Sequence, residues 1–211
     1  MGLMQSNTGG EGGGFKVYCK YNAKAGRWYT KEDKQDGQEF EVTNLTAVFD
    51  LQNVRTGWFL FAAGTAPAKT FDPSLTQAAT KPGDGFKRGF EVDIFSEKNL
   101  GGVREFSSTA GVVIDAINPL YDAYTAAPEA AQGKLPVVKC AGVTPVTNKH
   151  GTNYQPKLEI VSWVDRPSAL ADGGTASTLA STPPVEKPKA QTVAPPAPVD
   201  AFKETDSDVE F

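Results

Sequence analysis

The sequence predicts a mainly β domain, and three features support this prediction. Apolar and polar residues alternate along several short segments, as they do in strands that bury one face. Glycine and proline occur 21 and 15 times in 211 residues, so turns are frequent. Helical spacing of apolar residues is clearest in a single segment, 109–126, so few helices are expected. Many short strands together with one helix are typical of a small barrel.

The sequence pattern at the start of the domain predicts a β-hairpin. Segments 15–21 and 27–31 have the alternation of two strands, and polar residues with glycine form a turn between them. Trp28 and Tyr29 are adjacent, so a regular strand points them to opposite faces. One ring is therefore expected in the core and the other at the surface, and the pattern leaves open which.

Further strands and one long loop follow. The loop, 64–85, is rich in threonine, alanine, proline and glycine, and two roles stay open for it: covering a sheet edge or forming a homodimer contact. In 86–95, Phe90, Val92 and Ile94 alternate with charged residues, which predicts a strand with one buried face. The remaining predicted strands are 39–42, 45–54, 58–62, 137–141 and 157–164.

The helix prediction rests on apolar residues between Val112 and Tyr124 at spacings of three and four. Thr109 is a candidate for the N-cap. Pro119 lies within the pattern, and because proline lacks a backbone N–H it predicts a break or a kink.

Composition divides the chain into four segments. Residues 1–14 contain six glycines and form a predicted flexible leader, and residues 15–166 form the domain. Residues 167–199 are a predicted disordered linker rich in proline, alanine and threonine, and residues 200–211 form an acidic tip. The tail from 167 onward carries seven acidic and three basic residues, so it holds the entire net charge of −4.

No segment carries the pattern of an enzyme or of a metal site. The sequence lacks a phosphate-binding loop, a Gly-x-Ser-x-Gly turn and a metal-spaced set of cysteines and histidines. The isolated Cys19 and Cys140 fit reduced thiols, and His150 is the single histidine. We therefore expect no catalysis, no cofactor and no metal. No apolar run approaches the roughly 20 residues that span a bilayer, so no membrane association is expected.

Basic and aromatic residues are interleaved in the predicted strands. Ammonium and guanidinium groups bind phosphates, and ring faces stack on unpaired bases at roughly 1–3 kcal/mol per base. This pairing of residue types predicts a site for single-stranded nucleic acid, with an ordinary solvated face as the alternative. The candidate residues are Lys16, Tyr18, Lys20, Arg27, Trp28, Tyr29, Lys87 and Arg88.

The C-terminus adds a second feature. A β-rich domain, a Pro/Ala/Thr linker and an acidic tip ending in phenylalanine follow one another. This arrangement resembles the single-stranded DNA-binding proteins of bacteria and phages, whose acidic tails end in Pro-Phe or Phe. Segment 156–167 resembles the closing strand of some of them. The matching tip residues are Asp206, Asp208, Glu210 and Phe211, while Val209 has no counterpart and the tip is less acidic.

The resemblance implies an OB-like five-stranded barrel with one helix and a long loop insertion. It implies a protein that coats single-stranded DNA independently of sequence during replication, recombination or repair in the bacterial cytoplasm. The phenylalanine ring and acidic residues of the tip are then expected to bind a basic pocket on a polymerase, helicase or nuclease. The same tip is expected to compete with DNA for the basic groove of the domain.

Three other functions stay open at the level of the sequence. The first is a virion structural or decoration protein, built as a β-barrel that does not bind nucleic acid. The second is a strand-annealing or adaptor protein, and the third is a hydrolase that uses His150. Tight binding to oligo-dT favours the DNA-binding function, whereas incorporation into purified particles favours the virion protein.

Overall fold

A computed structural model of the chain describes residues 17–32, 37–62, 65–149 and 151–171, and these residues confirm a mainly β architecture. The strands are β1 (Tyr18–Asn22), β2 (Arg27–Lys31), β3 (Glu39–Val42), β4 (Thr46–Phe49), β5 (Arg55–Leu60), β6 (Ala68–Phe71), β7 (Lys87–Ser96), β8 (Gly102–Ser108), β9 (Leu135–Asn148) and β10 (Gly151–Val164). The helices are α1 (Glu97–Leu100), α2 (Gly111–Ala126), α3 (Pro128–Ala131) and α4 (Ser168–Ala171), with a 3-10 turn at Leu51–Asn53.

The sheet is open, so the expectation of a closed five-stranded barrel is wrong. Its order is β10-β9-β4-β7-β8-β1-β2-β3, with β5 paired to β7 and β6 paired to β5. All described pairs are antiparallel except β1 with β8. The barrel does not close because β1, β2 and β3 extend the sheet beyond β8, which leaves β3 and β10 as separate edges.

Two distant parts of the sheet, β10 and the β1–β2 hairpin, nevertheless contact each other at one place. The backbone N–H of Tyr154 on β10 donates to the carbonyl oxygen of Ala23, in the β1–β2 turn, at 2.7 Å. The hydroxyl of Tyr21 donates to the carbonyl oxygen of Tyr154 at 2.9 Å. The sheet is therefore strongly curled, and isolated hydrogen bonds take the place of a closing ladder.

Strand β7 is the centre of this sheet because it pairs with β4, β5 and β8. Phe90, Val92 and Ile94 are buried on its inner side, as the alternation predicted. Facing strands and α2 complete the core around them. Core residues on the other strands include Cys19, Tyr21, Trp28, Phe49, Phe106 and Val138.

Helix α2 confirms the predicted helix and closes the core beside β10. It buries Val113, Ile117 and Leu120, and it continues through Pro119 without a break. The N-cap is Ala110 rather than Thr109, and no side chain caps it. Instead, the hydroxyl of Ser108 accepts the backbone N–H of Ala110 at 3.2 Å. The side chain that binds a backbone N–H at this helix end is thus Ser108, one residue before the predicted Thr109.

Long-range pairing alters several of the predicted segments. The predicted loop 64–85 contains β6, which covers the edge of β5. The predicted strand 45–54 is β4 followed by the 3-10 turn. Bulges in the β9–β10 ladder shift the alternation of β10, so Trp163 packs on the core and its ring lies 6.0 Å from that of Tyr124.

The described fold extends past residue 166. Helix α4 follows, and its Leu170 is buried. Arg166 anchors this segment, because its guanidinium donates to both carboxylate oxygens of the buried Asp50 at 2.6 and 2.7 Å. The predicted leader 1–14, the rest of the predicted linker from residue 172 and the acidic tip lie outside the described residues.

In the part of the chain that the structure describes, no helix combines the length and the apolar character that a membrane span requires.

We expect Arg166→Ala to lower the free energy of unfolding by about 3 kcal/mol, because the substitution leaves the buried Asp50 carboxylate without its cationic partner. Urea denaturation followed by tryptophan fluorescence measures the change. Lys157→Ala is the control, since Lys157 is an exposed cation of β10. Equal stability of the two variants would contradict the anchoring role of Arg166.

Candidate nucleic-acid interface

The candidate interface is the side of the sheet that faces away from the core, which we call the outer face. Directly opposed residues of neighbouring strands share a face, so the register traces it across the sheet. Tyr18 lies opposite Glu105 of β8, and Lys20 lies opposite Tyr29 of β2. Tyr29 in turn lies opposite Glu41 of β3.

Two tyrosines and one lysine form a cluster on this face. The Lys20 ammonium lies 5.7 Å from the centre of the Tyr18 ring and 5.8 Å from that of the Tyr29 ring, within the range of cation–π attraction. Both tyrosines are half-buried, so part of each remains in contact with solvent. The cluster therefore combines one cation with two accessible ring surfaces.

Carboxylates of β3 pair with the cations of this cluster and its surroundings. Glu39 forms an ion pair with Lys20 and accepts the Tyr18 hydroxyl at 2.9 Å. Glu41 accepts from Arg27 at 2.8 Å. Burial alone would raise the pKa of Glu39, but the hydrogen bonds from Lys20 and Tyr18 lower it. Glu39 is thus held in its ionised form beside the lysine.

Trp28 is not part of the outer face, which corrects its place among the candidate residues. The indole is 4% exposed, and its ring lies 4.9 Å from each of the Tyr21 and Phe106 rings. Of the two adjacent rings, Trp28 is therefore the core residue and Tyr29 the surface one. A base cannot reach the indole without disrupting the core.

Lys87 and Arg88 lie on opposite sides of β7. Lys87 is exposed on the outer-face side, two residues from Gly89 and four from Glu91. Arg88 faces the other side, where its guanidinium donates to both carboxylate oxygens of Asp72 at 2.7 and 2.6 Å. The guanidinium also lies 5.4 Å from the centre of the Trp58 ring. The sequence predicted one site, and the structure separates its two adjacent cations.

The outer face also contains residues that the sequence did not indicate. The Arg55 guanidinium lies 3.8 Å from the centre of the Phe71 ring. Lys69 of β6 donates to Glu91 at 2.5 Å and pairs with Glu105. No local signal could identify these contacts, because Phe71 lies within the predicted loop and reaches the sheet only through the β5–β6 pairing.

Cations and carboxylates are therefore mixed on this face. Burial raises the pKa of Glu105, which lies beside Lys69. Burial would lower the pKa of Lys69, but its hydrogen bonds to Glu105 and Glu91 raise it. A phosphate chain can bind here only by exchanging with some of these carboxylates.

Several predicted positions lie outside the described residues. They are Lys16, His150 and the four tip residues Asp206, Asp208, Glu210 and Phe211. Cys19 and Cys140 are described and are not joined by a disulfide. Burial raises the pKa of the Cys19 thiol to about 12. Among the described residues, no three histidine, cysteine or carboxylate side chains lie together as a metal site would require.

Comparison with known proteins does not assign the chain to a family. No protein-family model matches the chain, and neither a curated protein nor a solved structure matches it significantly.

Asp72 stabilises the segment after β6, and we expect Asp72→Asn to lower the free energy of unfolding by about 2 kcal/mol near neutral pH. Its buried carboxylate accepts from Arg88, from the Thr56 hydroxyl at 2.5 Å and from the Ala79 N–H at 2.8 Å. The Arg88 hydrogen bonds hold the pKa of Asp72 well below its usual value, against the effect of burial.

This stabilisation is fully present above the unfolded-state pKa of about 3.9 and is lost as the pH falls through the lower folded-state pKa. The stability difference between Asp72→Asn and the wild type should therefore shrink in acid. Urea denaturation across an acid pH series measures it, with the exposed Asp84→Asn as control. A difference that stays constant down to strongly acidic pH would refute the ion-pair explanation.

Proposed function

We propose that this protein is a non-enzymatic, sequence-independent single-stranded DNA-binding protein that acts in replication or recombination, and that DNA binds along the outer face. The acidic tip at 200–211, as the site for a replication protein, remains a prediction from the sequence. The observation that carries the proposal is the Lys20 ammonium between the rings of Tyr18 and Tyr29.

The chemistry of that cluster suits an unpaired strand. A phosphate is attracted to the ammonium, while a flexible strand can place bases against ring surfaces on either side. None of these contacts reads base identity, because stacking accepts every base. The Arg55–Phe71 pair repeats the combination of cation and ring at the other end of the outer face.

The ion pairs of the outer face do not prevent this exchange. Lys20 and Arg27 have side chains that are 48% and 58% exposed. Exposed ion pairs contribute only about 0–1 kcal/mol, so a phosphate can replace Glu39 or Glu41 at low cost. The released carboxylates still repel the strand, which makes affinity modest and strongly dependent on salt.

An OB-like arrangement is part of this proposal. The segments β4–β5, β7, β8, β9 and β10 follow one another in the chain, and α2 lies between β8 and β9. In the OB fold, the face of the second and third strands binds oligonucleotides. The corresponding strands here would be β7 and β8, which carry Glu91 and Glu105 of the outer face. The β1–β2 hairpin would then be an addition that supplies the tyrosines.

Titration with labelled oligo-dT, oligo-rA and duplex DNA at two salt concentrations tests the proposal, with fluorescence anisotropy as the signal. We expect oligo-dT to bind, duplex to bind much more weakly and affinity to fall as salt rises. Absence of oligo-dT binding even in dilute buffer would refute the function.

We expect Tyr29→Ala and Lys20→Ala each to weaken oligo-dT binding, Tyr29→Ala by about 1–3 kcal/mol through the loss of one stacked base. Lys20→Ala should also reduce the salt dependence, by about 0.7 in the slope of log affinity against log salt. Lys134→Ala is the control, because it removes one positive charge at the start of β9. Equal affinities for Lys134→Ala, Lys20→Ala and Tyr29→Ala would exclude the cluster as the site.

The opposite change is expected for the paired carboxylate. Glu39→Gln keeps the size of the side chain and removes the charge that competes with phosphate, so affinity at low salt should rise by about fivefold, equivalent to about 1 kcal/mol. Anisotropy titrations measure the change, with Glu129→Gln, beyond α2, as the isosteric control. A decrease in affinity would mean that Glu39 positions Lys20 for binding rather than competing with DNA.

A further inference from the structure

A second groove lies on the continuation of the outer face, away from the tyrosine cluster. Its volume is about 780 Å³, and it lies between the start of β4, the end of β7 with α1, and β9. Register connects it to the outer face, because Phe95 is two residues from Asp93 on the same side of β7 and lies opposite Val48.

Two lysines line the groove, and in the part of the chain that the structure describes carboxylates do not hold them in ion pairs as they hold Lys20 and Arg27. Lys98 and Lys139 are both exposed, and neither forms an ion pair within the described residues. Glu159 lies opposite Lys139 in the β9–β10 ladder, yet the two side chains do not form an ion pair. This differs from the cluster of Tyr18, Lys20 and Tyr29 and its surroundings, where Lys20 and Arg27 are each paired with a carboxylate.

The floor of the groove is apolar. Val48, Phe95 and Val137 line it, each of them half-buried, and Val48 lies opposite both of the others in the ladders of β4. Their side chains therefore form one continuous patch beneath the lysines. Asn44 and Asn99 add amide groups at the rim. Apolar floor, amide rim and two cations together suit a ring system that carries a negatively charged group.

We propose that this groove binds one nucleotide unit, with its phosphate at Lys98 and Lys139 and its base over Val48, Phe95 and Val137. The inference rests on the proposed function, because the unit belongs to the strand whose other part lies on the tyrosine cluster. A free nucleotide has the same chemistry, so the experiment separates the two sources.

The spacing of the sheet makes one continuous strand feasible. The order β4-β7-β8-β1-β2 puts four strand spacings between the groove and Tyr29. At about 4.8 Å per spacing this corresponds to roughly 19 Å along the sheet. A few nucleotides of an extended strand can cover that length. One OB-type domain covers roughly 4–16 nucleotides, so a single bound strand can reach both places. Along the path, Arg55 pairs with Glu91, and Lys69 pairs with both Glu91 and Glu105, so each carboxylate has a cationic partner.

The test compares Lys98→Ala, Lys139→Ala and the control Lys134→Ala, each of which removes one positive charge. The full chain is titrated with a long oligo-dT and with a very short one. We expect each groove variant to weaken binding of the long oligonucleotide by about threefold to tenfold and to reduce the salt slope by about 0.7, the value for one phosphate contact on a single strand. Binding of the short oligonucleotide at the tyrosine cluster should change little, and Lys134→Ala should match the wild type.

Two results separate the failure of this inference from failure of the proposed function. If Tyr29→Ala weakens binding of the long oligonucleotide while both groove variants bind it like the wild type, the groove is excluded from the path of the strand, the DNA-binding function stands, and only the free nucleotide is left as a ligand of the groove. If the wild type does not bind the long oligonucleotide at all, the proposed function is refuted. Whether the groove binds a nucleotide is then decided by titration with the free nucleotide.

Titration with thymidine monophosphate, followed by backbone amide NMR shifts, identifies the source of the ligand. Shifts at Val48 and Val137 that disappear in Lys98→Ala establish the groove as a nucleotide site, whether or not the long oligonucleotide binds. Shifts at these amides with the oligonucleotide alone assign the groove to the strand. No shift with either ligand refutes the inference.

Discussion

The two-residue alternation of β7 is the constraint on which the rest of the structure depends. This strand pairs with β4, β5 and β8, so its pleat decides for all of them which side chains enter the core. Phe90, Val92 and Ile94 point inward and are almost completely buried. The side chains between them, Glu91 and Asp93, must then lie on the outer face, where charged groups collect. A slip of one residue would turn these carboxylates into the apolar core, Glu91 away from its cationic partners, and would turn the apolar set toward the outer face.

Local sequence pattern was sufficient wherever a face is set by alternation or by helical spacing. The helix α2, the inner side of β7 and the separation of Trp28 from Tyr29 all follow from periods of two or about four residues. The number of strands did not follow, because β6 and β8 were not predicted; β6 lies in a segment without alternation and is a strand only through its ladder with β5. Closure of the sheet also depends on which distant strands pair, and no local pattern specifies that.

The candidate site shows the same division. Alternation placed Tyr18 and Lys20 on one face of their strand, but it left open which of Trp28 and Tyr29 joins them, because that depends on the register of β1 with β2. It could not reveal that Glu39 and Glu41 would be aligned beside Lys20 and Arg27, since that requires the register of β2 with β3. Nor could it show that Arg88 is held by Asp72, sixteen residues earlier in the chain. Charge partners across strands decide which cations remain available, and sequence reports only their presence.

The hairpin of β9 and β10 has a further mechanical consequence. Its inner half is packed beneath α2, whereas the outer half of β9 is mostly solvent-exposed and that of β10 mostly half-buried, with bulges near Lys157 and Ile160 between inner and outer halves. The contacts of Tyr154 with Ala23 and Tyr21 tether that outer half to the β1–β2 turn. Few buried contacts oppose bending there, so its amides should exchange with solvent faster than those at its base. The two hydrogen bonds to β1 and its turn therefore do for the outer half of the hairpin what packing under α2 does for the inner half.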